Sequence, residues 1–113
     1  MRPTLALLLI LVLAACRSAG GLPSSPVATD RVDLPKSYRF APAAISIPVG
    51  ARVTWTNSDN FTHNVHLVDD GGDTLTMKPG ASVSRAFETP GVHRYECSLH
   101  PRDMQATILV SGD

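Results

Sequence analysis

Within ten residues of this 113-residue chain, the stretch YECSLHPRDM at positions 95–104, fall a thiol at Cys97, an imidazole at His100 and a thioether at Met104. All three side chains are metal donors, and the thiol is also a nucleophile if a base activates it. The chain has two cysteines, and the other, Cys16, lies in a segment that gives it a separate fate, described below. An unpaired thiol outside the cytosol is open to oxidation unless it is buried or held by a metal. Donor softness narrows the metal. Thiolate, thioether and imidazole together favour copper, whereas zinc seldom takes methionine. A zinc half-site would need a second pair of cysteines or histidines, and a nucleophile paired with His100 would need an orienting third group. Neither is evident, which leaves a buried inert thiol as the plain alternative to copper ligation.

Two histidines, one cysteine and a weak axial methionine make up the donor set of blue-copper electron-transfer sites. The second histidine has to come from elsewhere in the chain. His63 is the candidate, preceded by the polar run Asn57-Ser58-Asp59-Asn60 and followed by Asn64; the alternative is a turn histidine satisfied by backbone. His66 is three positions further on, so in a strand it points to the opposite face and reads as solvent-facing. His93 shares the face of Tyr95 and Cys97, but four strand residues place it about 13 Å from Cys97, too far to share a metal. Met77 suits either the core or an exposed apolar rim.

The elements that must position these residues read as strands. In AISIPVGARVTWTN, Ile45, Ile47 and Val49 alternate with Ser46 and Pro48; after Gly50, Val53 and Trp55 alternate with Arg52, Thr54 and Thr56. This is the period-two pattern of two half-buried strands with a Pro-Val-Gly turn between them. HNVHLV is a further short run closed by DDGGD. DTLTM, SVSRAFE, VHRYEC and QATILV follow, separated by KPGA, TPG and the Cys-His-Met loop. In the last of them Ala106, Ile108 and Val110 share a face. If Val83 and Phe87 face the core, Arg85 shares their side and must snorkel or sit at an edge. No stretch of ten or more residues has helical periodicity. Short strands at near-regular spacing, punctuated by Gly and Pro, predict an all-β protein, an antiparallel sandwich or barrel.

The N-terminus belongs to a different regime. MRPTLALLLILVLAAC has a basic start at Arg2 and an apolar run from Leu5 to Ala15. That run is shorter than the about 20 residues a membrane span needs, and it suits a secretory signal. Its end, Leu13 to Cys16, is similar to the lipobox of bacterial lipoproteins, in which the cysteine is acylated and becomes the new N-terminus. The expected organisation is a signal peptide over 1–15, a lipid-anchored flexible linker over 16–36 rich in Pro, Gly, Ser and Ala, and a folded domain over 37–113. The linker would reach roughly 25 Å as a coil. The expected location is exported, on the periplasmic or extracellular side of a membrane, anchored through Cys16; several acyl chains hold firmly where one binds marginally. Ten Lys and Arg balance ten Asp and Glu; without Arg2 the balance is nine against ten. No basic stripe argues for nucleic acid, and neither sign selects a charged partner.

WTNSDNFTHNVH (Trp55 to His66) followed by YECSLHPRDM resembles the cupredoxin family, most of all its plastocyanin and amicyanin branch, over about Phe40 to Val110. The resemblance implies a Greek-key β-sandwich with one copper ion, cycling between Cu(I) and Cu(II), held by His63, Cys97, His100 and Met104. It implies that Asn64 ties the two ligand loops together, and that His100 presents its imidazole edge in an apolar patch where redox partners dock. Leu99, Pro101 and Phe61 are candidates for that rim. One departure stands out: three residues separate His100 from Met104, where an amicyanin-like loop has two and a plastocyanin-like loop four. Gln105 is therefore the alternative axial donor, since an amide oxygen also sits axially in such sites. The implied function is a monomeric one-electron carrier with transient redox partners. Its rival is a copper-binding module for storage, sensing or delivery, and a metal-free interaction domain is a third reading. Enzymes of this fold need additional histidine-rich copper centres, which four histidines, two already used, cannot supply; no enzymatic activity is expected.

Overall fold

The computed structural model describes residues 25–112. The signal peptide, the acylation site at Cys16 and the first part of the linker lie outside the described residues. Nine strands follow one another without a helix among the described residues: β1 (Val27–Ala28), β2 (Arg31–Leu34), β3 (Ala44–Pro48), β4 (Arg52–Asn57), β5 (His63–Leu67), β6 (Thr74–Met77), β7 (Ser82–Ala86), β8 (Gly91–Glu96) and β9 (Gln105–Ser111). They form a six-stranded sheet, β1-β3-β9-β8-β5-β6, and a three-stranded sheet, β2-β4-β7. The expected all-β sandwich is the observed fold.

Alternation along each strand builds the core. Ile45 and Ile47 of β3, Val65 and Leu67 of β5, and Ala106, Ile108 and Val110 of β9 are buried from one sheet; Val32 and Leu34 of β2 and Val53 and Trp55 of β4 from the other. Trp55 packs edge-on against both Phe87 and Tyr95, with ring centroids 6.3 and 5.4 Å away, and Tyr95 packs against Phe40 at 4.7 Å. Each such side chain contributes about 1.5–3 kcal/mol of burial. Two turns follow directly from sequence. Ala51 N–H donates to the Pro48 carbonyl around Gly50 at φ 86°, and Ala81 N–H to the Lys78 carbonyl around Gly80 at φ 81°. Positive φ at the third turn residue is the type II requirement that glycine meets, with Pro79 pre-set at the second position.

Three features differ from the sequence reading. β3 and β4, consecutive and joined by a tight turn, do not pair; they enter opposite sheets. The pairs β4–β7, β5–β6, β5–β8 and β8–β9 are antiparallel, but β1–β3, β2–β4 and β3–β9 are parallel. The stretch expected to be linker up to residue 36 carries β1 and β2, and Val32 and Leu34 are 2% and 0% exposed. The short Val-Asp-Leu alternation is a strand signal, but it is set among Pro and polar residues, and only pairing with β4 places it in the smaller sheet, facing the core. Arg85 sits on β7, an edge of the smaller sheet, and reaches Asp73 at 2.8 Å.

Candidate metal centre

β5 and β8 lie side by side, with His66 opposite Glu96 and Leu67 opposite Tyr95. Continued in the same sense, this register brings the start of β5 beside the residues just past β8, so His63 and Cys97 meet at one end of the sandwich. Cys97 is fully buried and free of any disulfide. Its Sγ lies 3.8 Å from Nδ1 of His63 and accepts the Asn64 backbone N–H at 3.4 Å. The Asn64 side chain spans both segments: Nδ2 donates to Ser98 Oγ and Oδ1 accepts the Ser98 N–H, each at 2.8 Å.

The loop between β8 and β9 is wound into successive turns. His100 N–H donates to the Cys97 carbonyl at 3.1 Å, Met104 N–H to the His100 carbonyl at 3.0 Å, and Cys97 N–H to the Met104 carbonyl at 3.1 Å, which closes the neck of the loop. That closure turns Met104 into the core, fully buried beside Cys97, while His100 stays half-buried at the surface with its ring 5.5 Å from that of His63. Gln105 is exposed, and its amide donates to the Pro101 carbonyl at 2.9 Å. Among the described residues no three His, Cys, Asp or Glu side chains form a ready metal-holding group. The set is assembled pairwise instead, Cys97 with His63 and His63 with His100, with Met104 joined through the loop backbone. The donor chemistry, one buried thiol with two imidazoles and a buried thioether, suits copper.

Three residues at the site were given no role of their own from sequence. Asp59 Oδ2 lies 2.7 Å from His63 Nε2, on the side of the ring away from Cys97. The hydrogen bond with His63 holds the Asp59 carboxyl below the usual carboxylate range, against the opposing effect of burial and with help from the Asn60 N–H. Asn57 braces the turn, its Nδ2 donating to the carbonyls of Phe61 and Met77 and its Oδ1 accepting the Asp59 N–H. Tyr38 lies over the site. Its ring centroid is 4.6 Å from His100, 5.8 Å from His63 and 5.9 Å from Phe61. Nothing in the SYRF stretch signals this, because the contact comes from tertiary packing. The spacing of Asp59 four positions before His63 was a usable hint. Phe61 and Leu99 are 56% and 55% exposed around the same end, and Pro101 is exposed too.

Of the remaining candidates, His66 and His93 are engaged elsewhere, and Met77 borders this cluster. His66 is half-buried and hydrogen-bonded to Thr74 Oγ1 at 3.0 Å. Met77 is fully buried, opposite His63 across β5 and β6. His93 is buried and engaged by Asp70 and Thr89.

Two sheets closed at one end by a His, Cys, His and Met cluster define a cupredoxin. The family model of copper binding proteins, plastocyanin/azurin family, matches residues 31–111. The chain is 32% identical to a plastocyanin of Scenedesmus fuscus, over 63% of this chain and 85% of that one. It is 30% identical to amicyanin-alpha of Methylorubrum extorquens, over 77% and 79%. Its fold is similar to that of a purple cupredoxin from Nitrosopumilus maritimus, with a TM-score of 0.62 and 30% identity over 72% of this chain and 98% of that one. The chain belongs to the plastocyanin/azurin family of copper binding proteins, and its cofactor is a single copper ion.

Proposed function

We propose that this cupredoxin is a one-electron carrier, exported and tethered to the outer side of a membrane through an acylated Cys16, with His63, Cys97, His100 and Met104 holding a type 1 copper. The observation that carries the reading is the buried, unpaired Cys97 thiol 3.8 Å from Nδ1 of His63. Copper supplies the one-electron couple between Cu(I) and Cu(II). The chain supplies donors held in place by strands and by a closed loop, so little has to move when the charge changes. Met104 rather than Gln105 would be the fourth residue to hold the copper, because it is buried and closes the loop on Cys97, while Gln105 is exposed and engaged by Pro101.

His100 is the donor nearest the surface. The exposed Leu99, Pro101 and Phe61 around it offer a small apolar rim for transient redox partners, in keeping with the small areas that electron-transfer encounters bury. The carrier works as a monomer and has no enzymatic activity of its own. Loading with Cu(II), followed by optical and paramagnetic resonance spectra, tests the centre: an intense thiolate-to-copper absorption is expected, and Cys97→Ser should abolish it. Reversible oxidation and reduction with copper retained supports the carrier. Loss of the metal in one oxidation state to a chelator would point to storage or delivery instead.

A further inference from the structure

We infer that Asp59 is a positioning residue of the copper centre: its carboxylate, through the Nε2–H of His63, leaves Nδ1 as the metal-binding nitrogen and lowers the reduction potential. The inference rests on the copper reading above. Asp59 is only 5% exposed, and His63 is its one ion-pair partner among the described residues. An ionised carboxylate only accepts hydrogen bonds. Nε2 of His63 therefore carries a proton, and in the neutral ring the bare lone pair is on Nδ1, which faces Cys97 Sγ.

The carboxylate is itself fixed. Oδ1 accepts the Asn60 N–H at 2.7 Å, and the Asp59 N–H donates to Asn57 Oδ1 at 3.0 Å. Burying a charge is costly unless it is partnered, and a neutral Asn or Ser could brace the same turn without that cost. The charge has a use toward the ring. It draws the Nε2 proton, strengthens Nδ1 as a donor, and places a negative charge one ring from the metal. Both effects favour Cu(II) over Cu(I).

Two measurements test this. In the copper-free wild type, nitrogen NMR of His63 should report the Nε2–H tautomer; the Nδ1–H tautomer would overturn the positioning role, and this arm requires neither metal nor variant. In copper-loaded protein, Asp59→Asn keeps an acceptor oxygen but removes the charge. Its centre should stay blue, with the Cu(II)-to-Cu(I) binding ratio reduced about tenfold, a rise of about 59 mV for a one-electron couple. Asp59→Ala, which removes the acceptor as well, should also give a mixture of tautomers. An unchanged potential in Asp59→Asn would overturn the claim about charge. A wild type that takes up no copper would instead refute the copper reading, and the tautomer would still decide whether Asp59 orients His63.

Discussion

Asn64 and Ser98 clasp each other through two hydrogen bonds of 2.8 Å each, joining the segment that carries His63 to the one that carries Cys97. Asn64→Ala takes the acceptor from the Ser98 N–H, which should cost about 0.5–1.5 kcal/mol in the copper-free protein. By loosening the donors it should also weaken copper binding by about 10–100-fold. Denaturant unfolding and competition with a chelator measure the two effects. Asn64→Asp, which keeps the acceptor oxygen, should lose less; equal losses would show that the clasp through Oδ1 is not what matters.

Met104 and Gln105 are adjacent yet differently placed. Met104→Ala empties a fully buried position and should destabilise the copper-free protein by about 2–5 kcal/mol. Gln105→Ala removes one exposed hydrogen bond to Pro101 and should stay within about 0.5 kcal/mol of wild type. In copper-loaded protein only the Met104 variant should alter the optical and resonance spectra. A spectral change in the Gln105 variant would assign the fourth donor to the amide.

His93 has an acceptor at each ring nitrogen, the Asp70 carboxylate 2.9 Å from Nδ1 and the Thr89 carbonyl 2.7 Å from Nε2. Both nitrogens therefore donate, which only the imidazolium can do. Burial alone would pull its pKa down, but Asp70 and the Thr89 carbonyl, with a smaller effect from Asp69, outweigh it and hold the pKa above 6.5. Asp69 in turn is hydrogen-bonded by the Arg94 guanidinium, which lowers it to about 2. Phe87 covers the His93 ring at 5.3 Å and carries no charge. A raised folded pKa means the stabilisation is complete below the unfolded value of about 6.5 and is lost as pH rises through the folded value. Copper-free wild type should lose stability relative to His93→Gln over that interval, read from denaturant midpoints between about pH 5 and about pH 9. A difference between the two that does not vary with pH would contradict the imidazolium assignment.

Ser37 and Tyr38 have φ of 108° and 53°, and this turn sets the Tyr38 ring over His100. A non-glycine residue held there costs on the order of 1–3 kcal/mol. Ser37→Gly relieves the strain at Ser37 but frees the unfolded chain by about 0.4–1 kcal/mol, so a net gain of about 1 kcal/mol is expected. Ser37→Ala should give no gain. Thermal unfolding of the copper-free proteins separates these outcomes, and a Ser37→Gly protein no more stable than the alanine variant would argue against strain at this turn.

The sequence by itself determined the chemistry and the rhythm of the fold. Cys97, His100 and Met104 share one short loop, so their proximity is covalent. Ile45, Val53, Trp55 and Ile108 declare their inward face because strand side chains alternate. Gly50 and Gly80 declare their turns because few other residues adopt positive φ. Only the tertiary structure decided which strand lies beside which. Alternation reports the buried face of a strand but not its neighbour, so β3 against β9 and β2 against β4, parallel pairs far apart in the chain, left no local trace. The same holds for side chains aimed by packing. Tyr38 is an ordinary aromatic until a left-handed turn lays it over His100, whereas Asp59, four positions before His63, left a local hint. Local covalent spacing grouped Cys97, His100 and Met104; contacts between distant segments brought His63 and Tyr38 to them.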